Sequence, residues 1–179
     1  MNKITTKRLV LRTLKKEDVT ERYLRWLHDP MVNRFMETRF TKYSIDSCIN
    51  YVESLNADSN NHLFGIFERT SKAHIGNIKL GFIKPTHKCG QLGLIIGERT
   101  CWGNGFGTEA IIAVTRWGFK KIGLERIEAG CYDGNYGSLR AFVKAGYSIE
   151  GHRRKAMVMG NRRVGCFVLG IVKGDISVN

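Results

Sequence analysis

The chain has 179 residues, 42% of them apolar and 10% aromatic, which is enough for one folded domain with a continuous core and excludes a disordered chain. Lysine and arginine outnumber the acids 29 to 16, a formal charge of +13 that favours anionic partners such as nucleic acid, a phosphate-bearing cofactor or an acidic protein. Neither an RNP-like aromatic pattern nor zinc-finger spacing accompanies that charge, so nucleic acid is not the expected partner.

The opening stretch MNKITTKRLVLRT scatters Lys3, Lys7 and Arg8 and contains no long apolar run, so neither a signal peptide nor a membrane span is expected, and the protein is read as cytoplasmic. Cysteines fall at 48, 89, 101, 131 and 166, with no C-x-x-C pair among them. That spacing points to packed thiols rather than a disulfide framework or a metal site. Pro30 and Pro85 are the only prolines and no linker-like stretch divides the chain, so residues 1–179 are read as one domain.

In chain order, Leu9–Leu14 reads as a strand. Asp18 precedes Val19, Tyr23 and Leu27 at helical spacing, and Asp29-Pro30 ends that helix. Ser44 is placed to cap a second helix with Ile45, Ile49, Val52 and Leu55 inward. His62–Glu68 and His74–Phe82 read as an antiparallel pair. Gln91–Ile96 is an apolar strand that runs into Gly103-Asn104-Gly105-Phe106-Gly107 and then a helix with Ala110, Ile111, Val114, Trp117 and Ile122 inward. Arg126–Cys131 is the next strand. Asn135 starts a short helix that Gly146 ends, and a hairpin of Tyr147–Val158 and Val164–Val172, turning near Gly160-Asn161, closes the chain.

A strand entering a glycine-rich turn at a helix N-terminus makes an anion site, because glycines allow close backbone approach and the first helical N–H groups have no internal partner. Such a loop serves a dinucleotide, a nucleoside triphosphate or coenzyme A equally well. A P-loop would end Gly-Lys-Ser/Thr, whereas this one ends Gly107-Thr108-Glu109. A dinucleotide fold would place the turn in a first βα unit, whereas this one lies past mid-chain after an apparent hairpin.

The order of three segments resembles the GNAT N-acetyltransferases, and within them the RimJ/RimL-like branch. The segments are TKRLVLRTLKKED followed by WLHDP, Gln91–Gly97 followed by CWGNGFGTEA, and Asn135-Tyr136-Gly137-Ser138 leading to Lys144-Ala145-Gly146-Tyr147. The resemblance spans about residues 5–172. It implies an α+β fold, a mixed and mostly antiparallel twisted sheet flanked by helices, that splays between Gln91–Ile96 and Arg126–Cys131 to admit the pantetheine of acetyl-CoA. Main-chain contacts are then expected from Leu94, Ile95 and Ile96, diphosphate contacts from Asn104, Gly105, Phe106, Gly107 and Thr108, and a side-chain contact from Asn135.

Two positions depart from the wider family. Trp102 stands where the loop commonly begins with Arg or Gln. Phe142 stands where many members carry the tyrosine that protonates the leaving thiolate, and it has no proton to give. Ser138 is the expected replacement acid by likeness to the branch, its alternative role being a first-turn serine bonded to a backbone amide.

An alkylamine must lose its proton before it attacks, and Glu37, in the Phe35–Phe40 segment, is the leading candidate base. Its alternative role is an ion pair with Arg39. Glu98 follows as a second candidate, with His74 and His87 behind it.

Direct transfer in a ternary complex is expected, without metal or covalent intermediate. Arg34 and Arg39 are expected to bind an acceptor that carries phosphate, such as an amino-sugar nucleotide. A protein N-terminus and a non-catalytic acyl-CoA or nucleic-acid module are the competing expectations. The exposed edge of the closing hairpin is a candidate dimer edge.

Overall fold

The computed structural model describes residues 2–176. Eight strands form one sheet in the order β1-β2-β3-β4-β5-β6-β8-β7. They are β1 (Lys3–Thr5), β2 (Leu9–Thr13), β3 (His62–Glu68), β4 (His74–Lys84), β5 (Cys89–Ile96), β6 (Arg126–Tyr132), β7 (Ser148–Met159) and β8 (Arg162–Val172). Every neighbouring pair is antiparallel except β5 and β6, which run parallel. A parallel pair needs a crossover, and α4 (Phe106–Trp117) supplies it. The mixed α+β sheet is the one the sequence implied.

Side chains alternate across the sheet, and adjacent strand residues show which helices cover each face. Leu63 packs in a cluster with Val19, Tyr23, Trp26, Leu27, Cys48 and Val52, from the α1 (Glu21–His28) and α3 (Ile45–Ala57) side. Its neighbour Phe64 packs in the larger cluster with Ala110, Ile111 and Val114 of α4. The same switch occurs in β5, where Ile95 joins the α1–α3 side and Leu94 and Ile96 join the α4 side. Ile66, Ile78, Leu80 and Ile111 are fully buried, each contributing about 1.5–3 kcal/mol relative to exposure.

Local signals place the helix starts. Ser44 accepts from the Ser47 N–H and closes a reciprocal capping box at α3. Asp29 accepts from the Met31 N–H, ends α1 and caps the one-turn α2 (Pro30–Asn33), with Pro30 at its first position. Asn135 caps α5 (Tyr136–Lys144).

Several boundaries differ from expectation. β1 was not anticipated, because three residues carry no readable alternation. Val19 precedes α1 rather than opening it, since a short 3-10 turn at Lys16–Asp18 comes first. β4 continues to Lys84 through a bulge after Gly81, with Phe82 at φ +50°. Cys48, with Val52, is fully buried on α3, while Ile45, Ile49 and Leu55 are only partly covered. All five cysteines are free thiols. Among the described residues no helix is long and apolar enough to cross a membrane.

His62 and His74 are both drawn below the ordinary imidazole pKa by burial. His74 is wedged against Phe67 and Trp26, with Nε2 2.9 Å from Asn77 Oδ1. The folded state therefore binds their protons less readily than the unfolded chain. Their contribution to stability is complete above about pH 6.5 and is lost as the pH falls below it. Thermal unfolding followed from pH 7.5 to 5 should show a falling melting temperature, and His74→Gln should flatten that slope.

Candidate active site

β5 and β6 pair over only three positions, Cys89, Gly90 and Gln91 opposite Arg126, Ile127 and Glu128. Beyond them β5 keeps its antiparallel register with β4 as far as Ile96, and β6 keeps its own with β8 as far as Tyr132. The two strands therefore diverge, and each turns an unpaired edge toward the gap. A cavity of about 980 Å³ fills it, lined on the strand side by Gly93, Leu94, Ile95, Ile96 and Gly130. A side chain added at Gly93 would meet nothing within 4 Å, so the strand's backbone is open to the cavity there.

The glycine-rich turn closes one end. Gly103 (φ +77°) and Gly105 (φ +79°) hold left-handed conformations that cost other residues energy, and Gly105 delivers the chain into α4. The Glu109 N–H is bonded to the Gly105 carbonyl at 3.0 Å, which leaves the N–H groups of Phe106, Gly107 and Thr108 without helical partners. Gly105, Phe106, Gly107 and Thr108 line the cavity. Asn104 does not, because its side-chain amide turns back to the Thr100 carbonyl at 3.1 Å. Trp102 also braces the loop, its indole N–H donating to the Ile96 carbonyl at 2.7 Å.

The N-terminus of α5 forms the opposite wall. Asn135 Oδ1 accepts from the Ser138 N–H at 3.3 Å, and both residues line the cavity. With that amide taken by Asn135, the Ser138 hydroxyl lies 3.3 Å from Cys131 Sγ instead of capping the helix. Burial raises the pKa of the Cys131 thiol, which keeps it protonated. Phe142 is buried edge-on to Tyr147. The Tyr147 hydroxyl, 2.9 Å from Thr115 Oγ1 and driven upward in pKa by burial, is held in the core away from the cavity.

The remaining wall runs from α1 to Thr38. Arg34 reaches the cavity with its guanidinium 4.7 Å above the Phe35 ring. Glu37 also borders it, its side chain 73% exposed and its carboxylate 3.8 Å from Arg39. Arg39 is a correction to the expected acceptor-binding pair. Its side chain is only 12% exposed, donates to the carbonyls of Met36 and Val158, and lies over the rings of Phe40 and Tyr132. It pins the segment to the closing hairpin and does not line the cavity.

Glu98 accepts from the Trp26 indole at 3.1 Å and lies outside the lining, as do His74 and the exposed His87. Trp26, in the WLHDP motif, lines the cavity, whereas periodicity marked Tyr23 only as core and did not find Tyr43, Tyr51 or Lys79, which also line it. No local motif announces these residues, because strand pairing and helix packing bring them together.

The profile of the acetyltransferase (GNAT) domain matches residues 8–148. The chain belongs to the GNAT acetyltransferase family. The uncharacterized N-acetyltransferase YoaA of Bacillus subtilis (strain 168) is 29% identical over 172 residues, covering 95% of this chain and 96% of that protein. A GNAT-family acetyltransferase structure from Bacillus anthracis superposes with a TM-score of 0.83 at 22% identity, covering 97% of this chain and 99% of that one. The spermidine N-acetyltransferase of Vibrio cholerae, in complex with CoA and spermine, superposes with a TM-score of 0.84 at 19% identity, covering 95% and 98%. These structural likenesses establish the fold. The GNAT chain described here is an acetyltransferase, and enzymes of this family take the acetyl group from acetyl-CoA.

Proposed function

We propose that this GNAT enzyme, on the RimJ/RimL-like branch and acting in the cytoplasm as one domain, acetylates the primary amine of a small, negatively charged acceptor such as an amino-sugar nucleotide. The charge of the cavity carries this reading. Arg34, Lys79, Arg140 and Lys144 line it against a single carboxylate, Glu37. A polyamine, the ligand named for the Vibrio structure, would meet net positive charge here. Some of the cations balance the phosphates of the donor, while Arg34 stands on the acceptor wall.

The donor fits the opening on two counts. The free edge of β5 can pair with the amides of pantetheine as an added strand would, and the unpartnered N–H groups at Gly105–Thr108 suit a diphosphate. Leu94 and the Ile96 N–H would carry the pairing, since the Ile96 carbonyl is already taken by Trp102; Ile95, expected as a third contact, turns its carbonyl to Gly76 of β4 and so lends only its side chain to the cavity wall. Asn135, already bonded through Oδ1 as a cap, would offer its amide nitrogen.

Acetyl-CoA supplies the thioester. The amine attacks its carbonyl, the resulting oxyanion collapses, and the C–S bond breaks to leave a thiolate that must be protonated. Ser138 stands where it can give that proton. Its oxygen lies 3.3 Å from Cys131 Sγ, and with the thiol as the donor of that pair the hydroxyl hydrogen is free for the cavity. Glu37, exposed at the rim, takes the amine proton through water.

Release of CoA should be measured with acetyl-CoA against amino-sugar nucleotides, polyamines and peptides with free N-termini. Turnover is expected on the anionic amines, and Arg34→Ala should raise the acceptor KM roughly tenfold without changing the donor KM. Preference for polyamines would overturn the acceptor reading. Preference for peptides would favour the protein N-terminus expected of the same branch.

A further inference from the structure

We infer that Arg8, immediately before β2 and far in sequence from the glycine-rich turn, is a positioning residue that aims the turn's amides at the donor's diphosphate. This rests on acetyl-CoA being bound there. The two side chains in the turn best suited to reach a phosphate are both directed elsewhere, Trp102 to the Ile96 carbonyl and Asn104 to the Thr100 carbonyl. Beside Thr108, which lines the cavity, anion binding at the turn therefore falls on its backbone, and on whatever holds that backbone in place.

Arg8 does the holding. Its Nη1 donates to the Asn104 carbonyl at 2.8 Å, its Nε to Glu109 Oε2 at 2.7 Å, and its guanidinium lies 4.4 Å above the Phe106 ring. In a trans peptide the C=O and the following N–H point in opposite directions, and no cis peptide occurs among the described residues. Arg8 lies in a groove between β1 and α4, outside the cavity lining, whereas Gly105 borders both spaces. By fixing the Asn104 carbonyl on the groove side, Arg8 turns the Gly105 N–H toward the cavity side. Among the described residues that N–H has no acceptor.

The electrostatics agree. Glu109 sits in the first turn of the helix that must face an anion, where its charge would oppose a phosphate. Three donors compensate it: Thr6 Oγ1 at 2.6 Å, the Arg8 N–H at 2.9 Å and Arg8 Nε. They hold its pKa below the usual carboxylate value despite partial burial. The packing is close as well, since a side chain at Gly105 would come within 3.4 Å of Arg8 Nη2.

The test compares acetyl-CoA with S-acetyl-pantetheine, which has the thioester and amides but no diphosphate. Acetyl-CoA is titrated by calorimetry, and S-acetyl-pantetheine is followed at millimolar concentration by tryptophan fluorescence. Arg8→Gln should weaken acetyl-CoA by about 10- to 30-fold and leave S-acetyl-pantetheine within about threefold of wild type. Arg8→Lys, which keeps the charge and can reach one of the two partners, should recover part of the loss. Equal weakening of both donors would show a general structural role and overturn the inference, as would unchanged acetyl-CoA affinity in Arg8→Gln. If Arg8→Gln does not fold, the same comparison is made with Arg8→Lys, and a loss confined to acetyl-CoA supports the inference while any other pattern overturns it. Failure of the wild-type protein to bind acetyl-CoA would overturn the donor reading and this inference together.

Discussion

Ser138→Ala is expected to bind acetyl-CoA like the wild-type enzyme and to turn over about 100-fold more slowly, the usual scale for loss of a positioned proton donor. The helix carrying the serine should survive, because Asn135 and not Ser138 provides the cap. The hydroxyl's contact is the buried Cys131 thiol, a weak partner whose loss costs little. The effect should therefore fall on kcat, with the donor KM and the unfolding midpoint close to wild type. Steady-state rates at saturating acceptor, beside a denaturant melt, separate these quantities. An unchanged kcat would remove Ser138 from the chemistry. Phe142 and Tyr147 could not take its place, the first having no proton and the second bonded to Thr115 within the core.

Gly76→Ala should be more damaging to the whole molecule. Gly76 lies on β4 opposite Ile96, and a methyl group there would fall 2.2 Å from the Ile95 carbonyl oxygen and 3.0 Å from the Ile96 Cα. The obstruction is backbone held in a sheet, so it cannot swing aside as a side-chain tip would. A destabilisation of about 3 kcal/mol is expected, at the upper end for overpacking. The strand forced to move is the one whose other edge faces the cavity. Any folded fraction should therefore also bind acetyl-CoA poorly. Urea unfolding and calorimetric titration of the same preparation test both halves. Wild-type stability would mean that β4 and β5 separate there at little cost.

The parts of the fold that sequence revealed are those with local causes. Ser44, Asn135 and the glycines at 103 and 105 act on their own backbone or the next turn, so their roles can be read in place. The long strands and α4 showed in their periodicity. Local patterns could not reveal which side chains meet across the sheet. Arg39 stood beside aromatics in a segment expected to hold the acceptor, but Val158, on the closing hairpin, takes its guanidinium. Glu98 reads as an acid just past the cofactor-facing strand, yet Trp26 of α1 claims it. Trp102 departs from the common loop pattern, and only in three dimensions does its indole prove to be a brace on β5. In each case the deciding contact joins residues from separate elements, which no window of sequence contains.

The short parallel join between β5 and β6 has a consequence for how the protein persists. Five strands on one side and three on the other meet through three register positions, and beyond them each side presents an unfinished edge. If the donor's pantetheine lies in the opening, as proposed, the donor would be substrate and also a removable strand that completes the sheet. At a hundredfold excess over its dissociation constant it would add about 2.7 kcal/mol to the folded state by mass action. The lifetime of the enzyme would then follow the supply of the metabolite it consumes: a cell rich in acetyl-CoA would keep the molecule closed against proteases, and a starved one would hold it in its loosest form.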